Sequence, residues 1–326
     1  MAVYAVSDIH GALDEFERLL KKIGFQGSGS DTLYLLGDYG DWGAKSMETL
    51  CFVQELDENY ENVHCLLGNH EQMFLDTIAS GYRGSEPDNQ IARNWIVNNH
   101  GQVTWDAFAD MRQQDRRKLV AWMSRLPLSY SVSVEGHLYM LAHAFPYHYD
   151  VEYPEQEAQR RRKDAIWHRM LISEDPFEQY KGQQPYETLI CGHTISDYYY
   201  QQARTDSGKT TITPSVPQRN RIFHGNRFVD IDCGAKCMDE KPGEGEVIHA
   251  AAMRAQLAAY RLDDQEEFYV HRTAAETVAG GMDMHLPDMH LPDMHLPDMH
   301  LPDVHLPDMH LPDVHLPDMN FLNKYL

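Results

Sequence analysis

Six side chains with oxygen or nitrogen atoms that bind metal ions each follow a short apolar run of the sequence. They are Asp8, His10, Asp38, Asn69, His143 and His193. A mixture of carboxylate, amide and imidazole groups suits Mn, Fe, Zn or Co, whereas calcium prefers oxygen ligands alone. Six ligands are too many for one four-coordinate ion that keeps an open position. The pattern therefore predicts two ions, about 3.5–4 Å apart, that share one carboxylate.

Two ions held in this way can hydrolyse phosphate esters. They lower the pKa of a bound water molecule and bind phosphate oxygens. Without cations, the convergence of Asp8, Asp38 and Asp41 is unfavourable because of charge repulsion and desolvation. A single histidine after a strand is ordinarily structural. It is the recurrence of polar residues after successive apolar runs that favours a metal site.

The elements that must position these side chains are short buried strands. The apolar runs AVYAV, TLYLL, NVHCLL, HLYMLA and TLIC have the length of buried strands. Their polar ends predict a site beyond the carboxyl edge of an α/β sheet. Apolar residues at helical spacing predict helices over 12–23, 46–56 and 71–79. Alternation of apolar and polar residues predicts a hairpin over 128–143.

The chain divides into a predicted globular part and a repetitive tail. Residues 1–272 predict one α/β domain with a helical insertion at about 85–125, and 273–283 predict a linker. Residues 284–318 repeat Met/Val-His-Leu-Pro-Asp seven times, and 319–326 form the C-terminal end. A period of five fits neither a helix nor a strand, and the proline in every unit blocks a continuous helix. We expect this tail to be disordered or extended.

The seven histidines of the tail leave two interpretations open. Regularly spaced His and Asp residues can bind divalent ions weakly. Alternatively, the repeat has expanded by replication slippage and has no chemical role, which is the interpretation that we favour.

The charge and composition of the chain exclude several classes of partner. Asp and Glu number 50, and Lys and Arg number 28, which gives a formal charge of −22. DNA backbone and anionic lipid need clustered basic residues, so we expect no stable nucleic-acid binding and no membrane binding. No run approaches the ~18 apolar residues of a membrane span, and the start MAVYAVSDIHG is unlike a signal peptide. Five scattered cysteines argue against a disulfide scaffold, and the expected location is cytoplasmic.

The sequence resembles calcineurin-like metallophosphoesterases. The motifs SDIHG, GDYGDWG, GNHE, LAHAFP and GHT occur here in the order seen in that family, over about residues 2–272. The resemblance is strongest to the phosphoprotein phosphatase (PPP) branch and its bacterial relatives, which include diadenosine tetraphosphate hydrolases. It implies a four-layer αββα sandwich with mixed sheets and a centre of two divalent ions. Manganese is the expected metal, with Fe, Zn and Co as alternatives.

The resemblance also assigns the ligands to the two ions, with one shared carboxylate. The first ion takes Asp8, His10 and Asp38, and the second takes Asp38, Asn69, His143 and His193. By the same resemblance, His70 protonates the leaving oxygen and Asp41 is its carboxylate partner.

Two further positions concern the substrate phosphate. Arg169, in the segment IWHR, matches a phosphate-binding arginine of bacterial members, and Asn69 also contacts the phosphate by resemblance. Trp42 stands where the family has a second arginine, and an indole with its single donor cannot replace a bidentate guanidinium. Two roles of Trp42 stay open: it stacks on an aromatic ring of the substrate, or it packs against the insertion.

The expected activity is hydrolysis of phosphate monoesters by direct attack of a hydroxide that bridges the two ions. The substrate is expected to be a phosphoprotein (Ser/Thr or Tyr), because tetraphosphate hydrolases typically lack the residue that matches Asp41. The alternative is a symmetrical dinucleoside tetraphosphate hydrolase or a hydrolase of nucleotide-capped RNA, so that the partner is a phosphorylated protein or a nucleotide. An alternative of another class is a non-catalytic binding protein that holds an unknown partner with its repeat tail.

Overall fold

Two mixed β-sheets form the centre of the structure. The computed structural model describes five stretches of the chain, which are residues 1–84, 89–178, 188–200, 219–239 and 253–272. The linker, the repeats and the C-terminal end predicted over 273–326 lie outside these described residues.

The elements follow one another as strands and helices in alternation, then mainly as strands. In chain order the strands are β1 (Val3–Val6), β2 (Thr32–Leu35), β3 (Val63–Cys65), β4 (Ser129–Val134), β5 (His137–Ala142), β6 (Thr188–Cys191), β7 (Phe223–His224), β8 (Phe228–Asp230), β9 (Leu257–Arg261) and β10 (Glu267–Val270). The helices are α1 (Leu13–Ile23), α2 (Ser46–Asn59), α3 (Asn69–Ala79), α4 (Gln90–Ile96), α5 (Gln102–Asp110), α6 (Gln113–Met123) and α7 (Glu155–Trp167). A 3₁₀ helix covers Ala235–Asp239.

Each sheet has a parallel centre with antiparallel strands at one or both edges. The first sheet has the order β10-β9-β1-β2-β3, in which β1, β2 and β3 are parallel and β9 and β10 are antiparallel to their neighbours. The second has the order β4-β5-β6-β8-β7, in which β5, β6 and β8 are parallel. The predicted α/β class with mixed sheets and the predicted hairpin of β4 and β5 are confirmed.

The two sheets pack face to face through fully buried side chains. Ala5 and Leu36 of the first sheet contact the layer that contains Leu141 and Ile190 of the second. The outer face of the first sheet packs against the helices, through residues such as Phe16 of α1. Removal of this apolar surface from water stabilises the sandwich by roughly 25 cal/mol for each Å² buried. The sandwich brings the carboxyl ends of six parallel strands near one another.

The three helices predicted from apolar spacing are present, with small differences at their ends. Helix α1 ends at Gly24, which has a φ of 70° and donates its N–H to the carbonyl of Lys21. Helix α2 continues to Asn59, beyond the predicted 46–56. Helix α3 begins at Asn69, ahead of the predicted start, because the carboxylate of Glu71 accepts a hydrogen bond from the N–H of Gly68.

Helices α4, α5 and α6 occupy the segment in which an insertion was predicted. They join the helical core beside the first sheet through Trp95, Phe108 and Trp122, all of which are buried. The ring of Phe74 in α3 meets the rings of Trp95 and Phe108 edge to face. The insertion is therefore fixed against the helix that starts next to the predicted metal ligands.

Among the described residues, no helix has both the length and the apolar character needed to cross a membrane.

Candidate functional site

The carboxyl ends of strands from both sheets meet at one edge of the sandwich. Asp8 follows β1, and its backbone N–H donates to the carbonyl of Gly37, which follows β2. The side chain of Asp8 in turn accepts a hydrogen bond of 2.9 Å from the backbone N–H of His193, which follows β6 of the other sheet. Gly192 makes this approach possible, because a Cβ atom there would overlap the carboxylate of Asp8. The geometry joins residues that lie 185 positions apart.

Several residues at this edge have an uncommon backbone conformation. They are Asp8, His10, Asp38, Asp41, Trp42 and His193, with φ between 47° and 68°. Residues other than glycine rarely adopt positive φ, and each such residue costs about 1–3 kcal/mol unless its surroundings fix it. Their concentration beside buried polar side chains is typical of a functional site.

The first group of candidate ligands surrounds His10. Its Nδ1 donates to the carbonyl of Gly40 at 2.9 Å, which leaves a lone pair on Nε2. That Nε2 lies 3.5 Å from Oδ2 of Asp38 and 3.8 Å from Oδ1 of Asp8. It is buried and has no hydrogen-bond partner among the described residues. A buried lone pair that faces two carboxylates is well suited to a divalent cation.

The second group surrounds the amide oxygen of Asn69. His143 donates from Nδ1 to the carbonyl of Leu36 at 2.9 Å, so its Nε2 carries a lone pair. This Nε2 lies 3.0 Å from Oδ1 of Asn69, which is also an acceptor. Nδ1 of His193 lies 2.9 Å from the same oxygen. Two acceptors that face each other at this distance are stabilised by a cation between them.

The carboxylate of Asp38 lies between the two groups. Its Oδ2 is 3.5 Å from Nε2 of His10 and 3.9 Å from Nε2 of His70. Its Oδ1 is 3.5 Å from Nε2 of His143. Two sets of potential ligand atoms, each within 4.8 Å of one another, share this residue: His10, Asp38 and His70 form one, and Asp38, His143 and His193 form the other. The residues fit two ions that share a carboxylate, and the six predicted ligands lie together.

Burial controls the protonation of these groups. Burial raises the pKa of Asp38 well above its ordinary value, and the negative charges of Asp8 and Glu71 raise it further. Burial also lowers the pKa values of His10 and His143, which keeps both imidazoles neutral. Neutral imidazoles and ionised carboxylates are the forms that bind metal ions. A bound cation would supply the positive charge that stabilises the ionised form of Asp38.

His70 and Asp41 form a buried pair beside the first group. Nδ1 of His70 lies 2.6 Å from Oδ2 of Asp41. That carboxylate also accepts hydrogen bonds from Nε1 of Trp95 at 2.6 Å and from the hydroxyl of Thr104. Burial raises the pKa of Asp41 to about 7, although the hydrogen bonds from Thr104 and Trp95 act in the opposite direction. Burial, together with the positive charge of Lys236, lowers the pKa of His70 to about 3.

Three residues that hold the site were not identified from the sequence. Glu71 accepts hydrogen bonds of 2.9 Å from the backbone N–H groups of Asp38 and Tyr39, so it fixes the loop that carries the shared carboxylate. Its place in the motif GNHE and at the third position of a helix was an available signal. Trp95 and Thr104 hold Asp41 from the insertion, and nothing in their local sequence indicates this contact.

Arg169 and Trp42 occupy different surroundings. Nη1 of Arg169 donates to the carbonyl of His193 at 3.3 Å and to the hydroxyl of Thr194 at 3.2 Å, which places the guanidinium beside the second group. Trp42 stacks on His100, with ring centroids 3.7 Å apart and an angle of 22° between the planes. His100 lies between α4 and α5, so Trp42 packs against the insertion, which is one of the two roles left open by the sequence.

Comparisons with known proteins agree with this geometry. The model of the calcineurin-like phosphoesterase family matches residues 1–202. The symmetrical bis(5'-nucleosyl)-tetraphosphatase of Nitrosococcus oceani is 34% identical over 290 residues, which cover 82% of this chain and 95% of that protein. The protein of the same name from Aromatoleum aromaticum is 35% identical over 144 residues, or 44% of each chain.

Solved structures with low sequence identity resemble the chain as well. A metallophosphoesterase from Sphaerobacter thermophilus has a TM-score of 0.45 at 17% identity and covers 86% of this chain and 92% of its own. A cold-active protein-tyrosine phosphatase of a Shewanella species has a TM-score of 0.44 at 17% identity, with 83% and 80% covered. The sequence matches decide the family. The chain belongs to the calcineurin-like phosphoesterases, which use a two-metal centre, and it is a metal-dependent phosphoester hydrolase.

Proposed function

We propose that this enzyme hydrolyses dinucleoside tetraphosphates symmetrically. The Nitrosococcus oceani relative, named a tetraphosphatase of this kind, matches over nearly its whole length, and this observation supports the substrate class. The sequence favours a phosphoprotein substrate, with the dinucleoside tetraphosphate as the alternative, and the named relatives support that alternative.

We infer that the six residues at the strand ends hold two divalent ions. The first ion is assigned to Asp8, His10 and Asp38, and the second to Asp38, Asn69, His143 and His193. The position of Asp38 between the two ligand groups supports this assignment. When bound, two such ions lower the pKa of a water molecule and offset the negative charge of phosphate oxygens. We propose manganese, with Fe, Zn and Co as alternatives that suit the same mixed donors.

His70 is proposed to give a proton to the leaving oxygen. Its Nδ1 is held by Asp41, so its Nε2 is directed to the side of Asp38, 3.9 Å from Oδ2. Burial and the charge of Lys236 lower the pKa of His70 to about 3, whereas the carboxylate on Nδ1 and the negative charge of a bound phosphate favour the protonated imidazole, because they stabilise its positive charge. The proton on Nε2 then lies on the face at which the ligand groups converge. Asp41 itself touches no substrate in this scheme and orients the imidazole.

Arg169 and Asn69 are proposed to bind the phosphate that is attacked. The hydrogen bonds of Arg169 to the carbonyl of His193 and to Thr194 use one guanidinium nitrogen, Nη1. The other nitrogens of the fork can donate to two phosphate oxygens at once. Asn69 begins α3, where the helix N-terminus also favours negative charge.

A direct test compares substrates with the purified chain and added manganese. We expect diadenosine tetraphosphate to yield only ADP, because symmetrical cleavage gives two equal halves, and we expect much slower release of phosphate from phosphoserine and phosphotyrosine peptides. Formation of ATP and AMP, or faster turnover of the peptides, would contradict the proposal. Removal of metal with EDTA should abolish both activities, and manganese should restore them.

Phosphoprotein hydrolysis stays a second candidate because of one specific observation. Asp41 is present, fully buried and bonded to His70, in a pair that suits an acid catalyst. An alkoxide or phenolate leaving group needs protonation more than a nucleotide phosphate does, since it is the stronger base. If His70→Asn impairs peptide hydrolysis far more than tetraphosphate hydrolysis, the pair serves the second activity.

The five free cysteines support a reducing location, and we propose the cytoplasm.

A further inference from the structure

Lys236 lies beside Trp42, the residue that stands where the resembling family has an arginine. It belongs to the 3₁₀ helix Ala235–Asp239, which follows β8 of the second sheet. Its Nζ lies 5.6 Å from the centroid of the Trp42 ring. Trp42 is itself held by its stack on His100 at 3.7 Å. A cation over the face of an indole is attracted to it, so the aromatic pair restricts where the ammonium group lies.

The positive charge of Lys236 acts on groups of the site, as that of Arg169 does. It lowers the pKa values of His10 and His70, after the larger effect of burial and, for His10, of the neighbouring His70. For His143 and His193, the charge of Arg169 has a greater effect on the pKa than that of Lys236. The charge of Lys236 therefore acts on histidines of both ligand groups.

The ammonium group of Lys236 has no carboxylate partner in the described part of the chain. Lys45, by comparison, pairs with Asp14 at 2.6 Å. Lys236 is half-buried, and its charge acts on two buried carboxylates: burial raises the pKa values of Asp38 and Asp232, and the charge of Lys236 opposes that rise. The ammonium group therefore lies within electrostatic range of the site but forms no ion pair in the described part of the chain. A bound anion would provide the missing partner.

We propose that Lys236 binds a second phosphate of the substrate, so that Lys236 and Arg169 together hold a polyphosphate chain. This inference rests on the proposed function, because a monoester has only the one phosphoryl group that Arg169 and the two ions are proposed to hold. A polyphosphate carries further negative charges along its length. A flexible side chain with a compact charge suits phosphates whose exact orientation is not fixed by the reaction. Lys236 would then select polyphosphates over monoesters.

The test is a comparison of Lys236→Ala, Lys236→Arg and Lys118→Ala. Lys118 is exposed on α6 and loses the same charge, so it is the matched control. With Lys236→Ala we expect KM for diadenosine tetraphosphate to rise about tenfold, as for the loss of one hydrogen bond to a charged group, and KM for p-nitrophenyl phosphate to rise less than about twofold. Lys236→Arg should recover most of the affinity, and kcat should change little. Equal effects on both substrates, or none, would overturn the proposal.

A second measurement separates this inference from the substrate itself. If the wild-type chain hydrolyses p-nitrophenyl phosphate but not diadenosine tetraphosphate, the proposed function fails, and inorganic tripolyphosphate then tests Lys236. As an inhibitor of p-nitrophenyl phosphate hydrolysis it should lose about tenfold in potency with Lys236→Ala, whereas inorganic phosphate should lose none. Calorimetric titration of the EDTA-treated protein with tripolyphosphate gives the same comparison without turnover. Unchanged binding in Lys236→Ala would overturn the inference in either case.

Discussion

The strand ends and the helical insertion both reach the site, but they hold its side chains in different ways. The backbone N–H of His193 in the second sheet donates to the carboxylate of Asp8 in the first, and the backbone N–H of His10 donates to the carbonyl of Asp38. The insertion holds Asp41 through the indole N–H of Trp95 and the hydroxyl of Thr104, and its His100 stacks on Trp42. The strand ends bring the candidate metal ligands together. The insertion acts on Asp41, which orients the proposed proton donor His70.

This difference separates two kinds of damage. A change at a strand end removes a ligand from an edge where negative charges need cations, so metal and activity are lost together. A change in the insertion leaves the ligands untouched and alters the pair of His70 and Asp41. Metal content should then stay constant while the rate and its pH dependence change. Measurement of both quantities on each variant tests the comparison.

The largest effect is expected for Asp38→Asn, which removes the shared carboxylate. Both ligand groups contain this residue, so we expect bound manganese to fall below one ion per chain and kcat/KM to fall by about three orders of magnitude. Manganese should raise the Tm of the wild-type chain and leave that of the variant nearly unchanged, because only a bound ion stabilises the fold. Elemental analysis and thermal melts measure these outcomes. A variant with full metal and turnover would remove Asp38 from the centre.

His70→Asn should show the next largest effect, on rate alone. We expect normal metal content and a kcat lower by about 10²–10³, the range of general acid catalysis. The loss should be greater for phenyl phosphate than for p-nitrophenyl phosphate, because the phenolate needs protonation more. His64→Asn on β3, where the imidazole packs at a tilt against the ring of Tyr34, is the control for loss of a histidine. Equal losses on both esters would remove His70 from the acid role.

The strand-end ligands could be predicted from the sequence because their signal is local. An apolar run of four to six residues that stops at Asp, Asn or His is visible in one window, and the α/β rule then brings the ends together. The contacts of Asp41 with Trp95 and Thr104 span 54 and 63 residues, and they depend on how the insertion packs on Phe74. The periodicity of apolar residues in the sequence does not predict such packing between distant helices.

Two other residues near the site depend on contacts between distant elements. Glu71 belongs to the motif GNHE, and its carboxylate accepts hydrogen bonds from three backbone N–H groups around the shared ligand. Lys236 follows β8, and its approach to Trp42 depends on the placement of the 3₁₀ helix beside the loop after β2. Contacts between elements that are distant in the chain cannot be predicted from the pattern of residues in a short window of the sequence.

Thr104→Val should reduce the rate less than His70→Asn. The substitution keeps the shape of the side chain but removes the hydroxyl that bonds to Asp41 and to Ser46. We expect kcat to fall about tenfold, the scale of one hydrogen bond to a charged group, with metal content unchanged. Thr77→Val is the matched control, since Thr77 is equally buried and its hydroxyl has no partner among the described residues. A loss of metal in Thr104→Val would contradict the expectation that changes in the insertion leave the metal content unchanged.

Trp95→Phe should give the smallest effect on the rate, and the pH–rate profile should show how that effect arises. The substitution removes one N–H from Asp41 and keeps most of the aromatic packing, so we expect kcat to fall about threefold. The hydrogen bond from Trp95 lowers the pKa of Asp41, and its loss should therefore move the acidic limb of the pH–rate profile to higher pH. Trp122→Phe, which removes a similar N–H from Asp57 and leaves a similar cavity, should shift neither the limb nor the rate. A shift common to both variants would mean that the insertion acts through stability and has no direct influence on the proton of the His70–Asp41 pair.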